Sequence, residues 1–346
     1  MGFCLLTLRQ VCNIVIFRRG SVFMAKVYCI GEALIDFIPV AKGLRLEDVP
    51  SFERAPGGAP ANLSVAVKKL GGESAFIGKV GDDAFGRLLR ETLLRWGVDV
   101  SLLSKTSEAN TTLAFVALKA DGDRDFIFYR NPGADMLLSE KDIPEGVFSR
   151  GDILHFCSLG LVDAPVKAAH RRAIELMKRA GGIISFDPNV RLDLWRDHED
   201  CRRAVLEFLP LADLVKVSLD EMPFIFGTED ERAAASRCFD GGAKAFIVTR
   251  GAGGSAFYTP EYSKEASPIA VRVEDTTGAG DAYMGAVLSR IAGTGSLSER
   301  LSPSFVDETI LLAGVVGSIT ATKKGAIESI PSLDEARRFQ MAMGAE

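Results

Sequence analysis

The chain has 346 residues, 47% hydrophobic and 25% charged, with a formal net charge of −5. That length suffices for one large α/β domain or two smaller ones with a substantial core. The negative balance excludes a general attraction to nucleic acid or anionic membrane, so any phosphate must be held by local features.

Residues 1–23, "MGFCLLTLRQVCNIVIFRRGSVF", are apolar but broken by Arg9, Arg18 and Arg19, and they lack a small-residue cleavage site. A strand pattern begins directly after Met24, so these residues are expected to be an extension outside the fold, which runs over 24–338. Strand-like runs follow at 27–31, 74–80, 152–156, 182–187, 213–218 and 244–249. Between them, residues 60–70, 83–96 and 165–180 carry apolar spacing near 3.6, two with proline early and all with glycine at the end. Strands apolar throughout, joined by helices, predict a mostly parallel central sheet covered by helices on both faces.

Two segments break this rhythm. Residues 111–130 read as a hairpin turning at Ala120–Asp123, and 33–55 read as extended chain with no room for a crossover helix. Together they predict a small β-strand lid over the carboxyl ends of the sheet, where ligands sit in such folds. No apolar run reaches the ~18–20 residues of a transmembrane helix. Six scattered cysteines (Cys4, Cys12, Cys29, Cys157, Cys201, Cys238) form no C-x-x-C pair, which predicts a reducing, cytoplasmic setting with neither zinc site nor disulfide framework.

Three glycine-rich stretches carry chemistry. "VTRGAGGSAFY" (248–258) fits G-x-G-x-x-A, but β-like sequence follows instead of the helix that dinucleotide binding requires. It reads as a hairpin turn or as a glycine turn whose backbone can approach a nucleotide phosphate. "APGGAPANLSVAVKKLGG" (55–72) places Gly57 and Gly58 ahead of a helix with Asn62 in its first turn. That suits sugar hydroxyls, or simply a glycine loop with a cap. "DTTGAGDAYMGA" (275–286) is the sharpest. Gly278, Ala279 and Gly280 precede a helix predicted over 281–291, so unpaired N–H groups and the positive end of the helix dipole would form an anion hole. Asp281 beside it is either a general base for a hydroxyl proton or an N-cap.

"GGAPAN" and "DTTGAGDAY", in this order, resemble the two signatures of the ribokinase-like (PfkB) carbohydrate kinases, over about Lys26 to Pro331. Residues 126–138, 185–195, 212–221 and 323–331 are most similar to fructokinase segments. The resemblance implies an ATP-dependent, Mg²⁺-requiring kinase of D-fructose on a ribokinase-like fold, with Asp281 as base. It implies that Asp36, Gly57, Gly58, Asn62, Arg130, Asp187 and Arg191 bind the sugar or phosphate. Glu221 would hold the water shell of Mg²⁺. Ser218 stands where many members carry Asn, which leaves its part in the metal and phosphate arrangement open. Thr249, Gly251 and Gly254 would line the phosphate tail, and Ala313, Gly314 and Gly317 the adenine. Asp275 and Thr277, with Gly325 and Ser329, would enclose a monovalent cation such as K⁺. A homodimer through the lid is also implied. Other readings are a kinase of ribose, 2-keto-3-deoxygluconate or an aminoimidazole riboside, or a catalytically silent sugar-binding regulator. His155 reads as a core residue, and His170 and His198 as surface positions.

Overall fold

The computed structural model describes residues 25–41, 43–118, 124–293 and 297–343. The extension at 1–23 and the hairpin tip at Ala120–Asp123 lie outside the described residues. In chain order come β1 (Lys26–Ile30), β2 (Leu34–Pro39), β3 (Phe52–Gly57), α1 (Ala59–Lys69), β4 (Glu73–Gly81), α2 (Ala84–Arg95) and β5 (Asp99–Thr106). Next are β6 (Leu113–Leu118), β7 (Arg124–Tyr129), β8 (Ile153–Cys157), α3 (Pro165–Arg179), β9 (Ile183–Asp187), α4 (His198–Phe208) and β10 (Leu214–Ser218). The chain continues through α5 (Met222–Phe226), α6 (Glu231–Asp240), β11 (Ala245–Thr249), β12 (Ser255–Tyr258) and β13 (Ser263–Ala266). It ends with α7 (Ala279–Ile291), α8 (Leu297–Arg300), α9 (Pro303–Ala321) and α10 (Leu333–Met343).

Among the described residues the large sheet has nine strands in the order β13-β12-β11-β10-β9-β8-β1-β4-β5. It is parallel from β11 to β5, and β12 and β13 add antiparallel at one edge. Alternation along one strand explains the two layers. Val27 and Cys29 of β1 face the core under α1, α7 and α9, while Tyr28 and Ile30 face the core under α3 and α4. Both faces are therefore dry, as a run such as "VYCI" requires. The helices start where capping chemistry allows. The side chains of Asp83, Asp197 and Asp230 accept backbone N–H groups at the starts of α2, α4 and α6.

A second sheet, β3-β2-β6-β7, is the lid. Its arms come from two separate excursions, joined where β2 pairs parallel with β6 through Ile35↔Leu113, Asp36↔Ala114 and Phe37↔Phe115.

Three expectations change. Helix α7 begins at Ala279, two residues before Asp281, because Gly278 takes the left-handed N-cap position (φ 77°). Helix α9 is, by length and composition alone, apolar enough to cross a membrane. Here Val306, Ile310, Leu312, Ala313, Val315, Val316 and Ile319 are buried in the core that α7 also lines. His170 is not at the surface. It is fully buried, bonds the carbonyl of Val166 at 2.8 Å and packs edge-on against Phe156. Burial lowers its pKa to about 4, so it stays neutral.

Candidate active site

The carboxyl ends of the parallel strands open into a cavity of about 800 Å³ beneath the lid. Leu34, Asp36, Ile38, Val116 and Phe128 line it from the lid, and Gly58, Ala59 and Asn62 from the start of α1. Cys157 and Leu159 follow β8, Asn189 and Arg191 follow β9, and Lys216 comes from β10 itself. The loop from Val273 to Asp281 closes the remaining side.

Asp281 is the centre of this arrangement. It lies in the first turn of α7, and Asn62 Nδ2 donates to its Oδ2 at 2.8 Å, which ties two segments far apart in the chain. Burial raises its pKa to about 6; the Asn62 bond, Lys216 and Arg191 pull it down, and Asp187 pushes it further up. A carboxyl with this affinity is charged at neutral pH yet far more basic than an ordinary aspartate, as general-base work requires.

The turn expected to form an anion hole is built slightly differently from the expectation. The N–H of Ala279 donates to the carbonyl of Thr276 at 3.2 Å, and Ala279 is absent from the cavity wall. Gly278, Gly280 and Asp281 line the cavity instead, with the first-turn N–H groups of α7 behind them. A Cβ at Gly278 would come within 2.7 Å of the Ala326 methyl, so the turn needs glycine for space as well as for its φ.

Lys216 is the functional candidate that sequence reasoning missed. It is 5% exposed and pairs with Asp187 at 2.9 Å. Its Nζ lies 3.5 Å from where a Cβ at Gly280 would sit. Burial disfavours its ammonium, but Asp187, Glu221 and Asp281 outweigh that and hold it firmly protonated. The signal was present in "LVKVS": a lysine in the middle of a strand covered on both faces must be paired.

Other expected residues separate. Asp36 leans over Gly57 and lines the cavity. A Cβ at Gly58 (φ 103°) would meet the carbonyl of Glu32 at 2.6 Å. Asp187 stands behind Lys216 and accepts from Asn189 N–H at 3.2 Å, so it reaches the cavity through the lysine. Arg191 is exposed at the rim. Arg130 does not reach into this cavity. It is buried, pairs with Asp135 at 2.6 Å and donates to the carbonyl of Leu159 at 3.0 Å, so it pins the end of β7 and borders a neighbouring hollow.

Ser218 and Glu221 close a capping box on each other, Ser218 N–H and Oγ donating to one carboxylate oxygen at 2.7 and 2.8 Å. The other oxygen accepts from Val190 N–H at 2.6 Å. Thr249 is the register neighbour of Ser218, so both stand at the carboxyl ends of adjacent strands. Gly251 and Gly254 form the exposed hairpin turn between β11 and β12. On α9, Gly314 and Gly317 are partly exposed, whereas Ala313 is fully buried in the core. One residue is a turn of about 100° on a helix, so Ala313 faces the core and cannot offer a surface to adenine. Asp275 accepts from Thr277 N–H and Oγ1 at 3.0 and 2.6 Å and from Gly325 N–H at 3.0 Å. Ser329 Oγ donates to the carbonyls of Gly325 and Ala326 at 2.5 and 2.8 Å. The four expected cation-site residues are thus gathered in one place.

Residues 24–333 match the pfkB family of carbohydrate kinases. Fructokinase-1 of Oryza sativa subsp. japonica is 43% identical over 308 residues, 88% of this chain and 94% of that protein. A fructokinase double mutant from Vibrio cholerae O395, solved with fructose, ADP and potassium ion, superposes with a TM-score of 0.84 at 34% identity, covering 92% of this chain and 99% of that one. Aminoimidazole riboside kinase from Salmonella enterica, complexed with aminoimidazole riboside and an ATP analog, gives 0.79 at 32% identity, covering 91% and 99%. With the glycine turn of α7, the buried acid and the lid in one cavity, and with likeness of this extent, the chain belongs to the pfkB family of carbohydrate kinases.

Proposed function

We infer that the protein transfers the γ-phosphoryl group of ATP to the primary hydroxyl of D-fructose, giving fructose 6-phosphate and ADP. The observation that carries this is the Asp281 carboxylate, held by Asn62 at the N-terminus of α7 inside a lidded cavity. The fructokinase relatives support the sugar.

Asp281 takes the hydroxyl proton as the sugar oxygen attacks the γ-phosphorus in line. The backbone at Gly278 and Gly280, with the positive end of α7, faces the charge spread over the equatorial oxygens. Lys216 adds a fixed positive charge beside that hole, and Arg191 a further one at the rim. Asp36 and Asn62 orient the sugar, and the lid keeps out water that would compete as nucleophile. Mg²⁺ supplies neutralisation of the phosphate oxygens when bound. Glu221, whose carboxylate keeps lone pairs beyond its three backbone and side-chain bonds, fits its water shell. Thr249, Gly251 and Gly254 border the phosphate tail, Gly314 and Gly317 the adenine, and Asp275, Thr277, Gly325 and Ser329 a monovalent cation. The kinase domain spans 24–338 with residues 1–23 outside it, and the buried free thiols Cys29, Cys157, Cys201 and Cys238 suit a reducing cytoplasm.

The test is ADP release from a panel of sugars. Fructose is expected to exceed ribose by at least tenfold in kcat/KM, because polar groups matched to particular hydroxyls stay unpaired with the wrong sugar. An aminoimidazole riboside is the second reading, supported by the Salmonella neighbour; its winning the panel would replace the sugar and keep the reaction class.

A further inference from the structure

Glu32 lies in the three-residue link between β1 of the large sheet and β2 of the lid. It is 4% exposed and lines the cavity close to Ala59 and Asn62. Its Oε1 accepts from the backbone N–H of Ala59 at 3.2 Å, at the first position of α1. Its Oε2 is buried and has no hydrogen-bond partner. The Asn62 Oδ1 is in the same condition, while Asn62 Nδ2 is committed to Asp281. Two orphaned oxygens therefore belong to two side chains that line one cavity, and one of these side chains bonds the base.

A buried polar atom left unsatisfied is costly, and a ligand that enters the cavity can remove that cost for an atom on a side chain lining it. No described cation pairs with Glu32, since Arg130 and Lys216 are committed to Asp135 and Asp187. Burial raises the Glu32 carboxyl to about 7, with Asp135 adding to that and Arg130 opposing it. A structural role alone does not account for the second oxygen. Capping α1 engages Oε1 and leaves Oε2 buried without a partner, on a side chain that lines the cavity. The chemistry that satisfies such an oxygen without a counter-charge is a neutral O–H, and the cavity's other groups suit a polyhydroxylated sugar.

We propose that Glu32 is a specificity-determining residue whose Oε2, held by the Ala59 N–H bond, pairs with a sugar hydroxyl other than the one phosphorylated. This rests on the sugar-kinase reading above. It adds to that reading a contact from the hinge between sheet and lid, so that the correct sugar bonds the link from which the lid departs.

The test uses the full chain and fructose analogues in which each non-reacting hydroxyl is replaced in turn by hydrogen. In the wild-type enzyme at least one analogue is expected to lose tenfold or more in kcat/KM. In Glu32→Gln, which keeps the acceptor for Ala59 N–H but turns the free oxygen into a donor, fructose itself is expected to lose tenfold or more. The penalty for that one analogue, relative to fructose, shrinks below threefold, while KM for ATP changes less than twofold. If no deoxy analogue costs the wild type more than threefold, the proposal fails whether or not the variant folds. It fails equally if the penalty pattern is the same in both proteins, or if the sugar and ATP KM values rise together with a lowered Tm, as loss of a cap would cause. A wild type that turns over no fructose would instead remove the substrate reading itself.

Discussion

Asp281 combines two roles that a substitution can separate. Asparagine has the size of aspartate and its amide oxygen can keep accepting from Asn62 Nδ2, so Asp281→Asn is expected to preserve the fold. As a base it is lost, and kcat should fall roughly 10²–10⁴-fold. Stability gives the opposite sign. The folded carboxyl titrates near 6 against an ordinary 3.8, so its contribution to stability is present below about 3.8 and is lost as pH rises through 6. Removing a charge that the fold disfavours should leave Tm at pH 8 equal or higher. For the wild type, kcat/KM should fall about tenfold per unit below pH 6, since only the ionised base accepts the proton. Near-normal kcat in the variant, or a flat profile between pH 5 and 7, would remove the base assignment. His155 and His170 cannot account for such a limb, being buried and lowered to about 3 and 4.

At the scale of elements, the anion site proposed at the start of α7 depends on the loop before it being held in one shape. Asp275 fixes the turn at Thr277 on one side and the backbone at Gly325 on the other. A monovalent cation among these groups would hold their carbonyls and so aim the N–H groups of the hole. Exchanging K⁺ for a bulky organic cation at constant ionic strength is expected to lower turnover several-fold, and equal rates in both media would remove the cation from this loop. The motif that marks α7 was legible because it needs glycines and an acid in a fixed order. Its boundary was not, since Gly278 takes the left-handed cap and Ala326, remote in sequence, fills the space a Cβ there would need. The surroundings of Arg130 were hidden for a related reason. A cation at the end of a hairpin looks free in sequence, and only the fold brings Asp135 and the Leu159 carbonyl to it. His170 likewise became a core residue because Gly160 leaves room against its ring.

For the whole molecule, the parallel sheet and the lid could be read ahead because each strand is apolar on both faces and each excursion lacks a helical period. Lys216 was overlooked because its strand was read for hydrophobicity alone. The lid's far surface is where the proposed dimer would form. Phe37 stacks on Phe115 at 4.6 Å, and Phe52 and Tyr129 pack against Phe115. Ile127 and Tyr129 remain 48% and 64% exposed. Apolar and aromatic surface of this kind favours pairing with a second copy. The wild type is expected to sediment as a dimer at tens of micromolar and Tyr129→Glu as a monomer; a monomeric wild type would end the proposal of a lid-mediated dimer.

The lid's two arms leave and rejoin the large sheet without altering its order. One arm sits between β1 and α1, the other between β5 and β8. Both are insertions at the carboxyl edge, so deleting them on paper leaves an unbroken β1-α1-β4-α2-β5 path. Leu34, Asp36, Ile38, Val116 and Phe128 lie on these insertions, whereas Asp281, Lys216 and the α7 cap belong to the sheet and its helices. Sequence drift in the arms can therefore retune which acceptor is enclosed while leaving phosphoryl transfer untouched. That separation gives a physical route by which one scaffold serves fructose in one structural neighbour and aminoimidazole riboside in another.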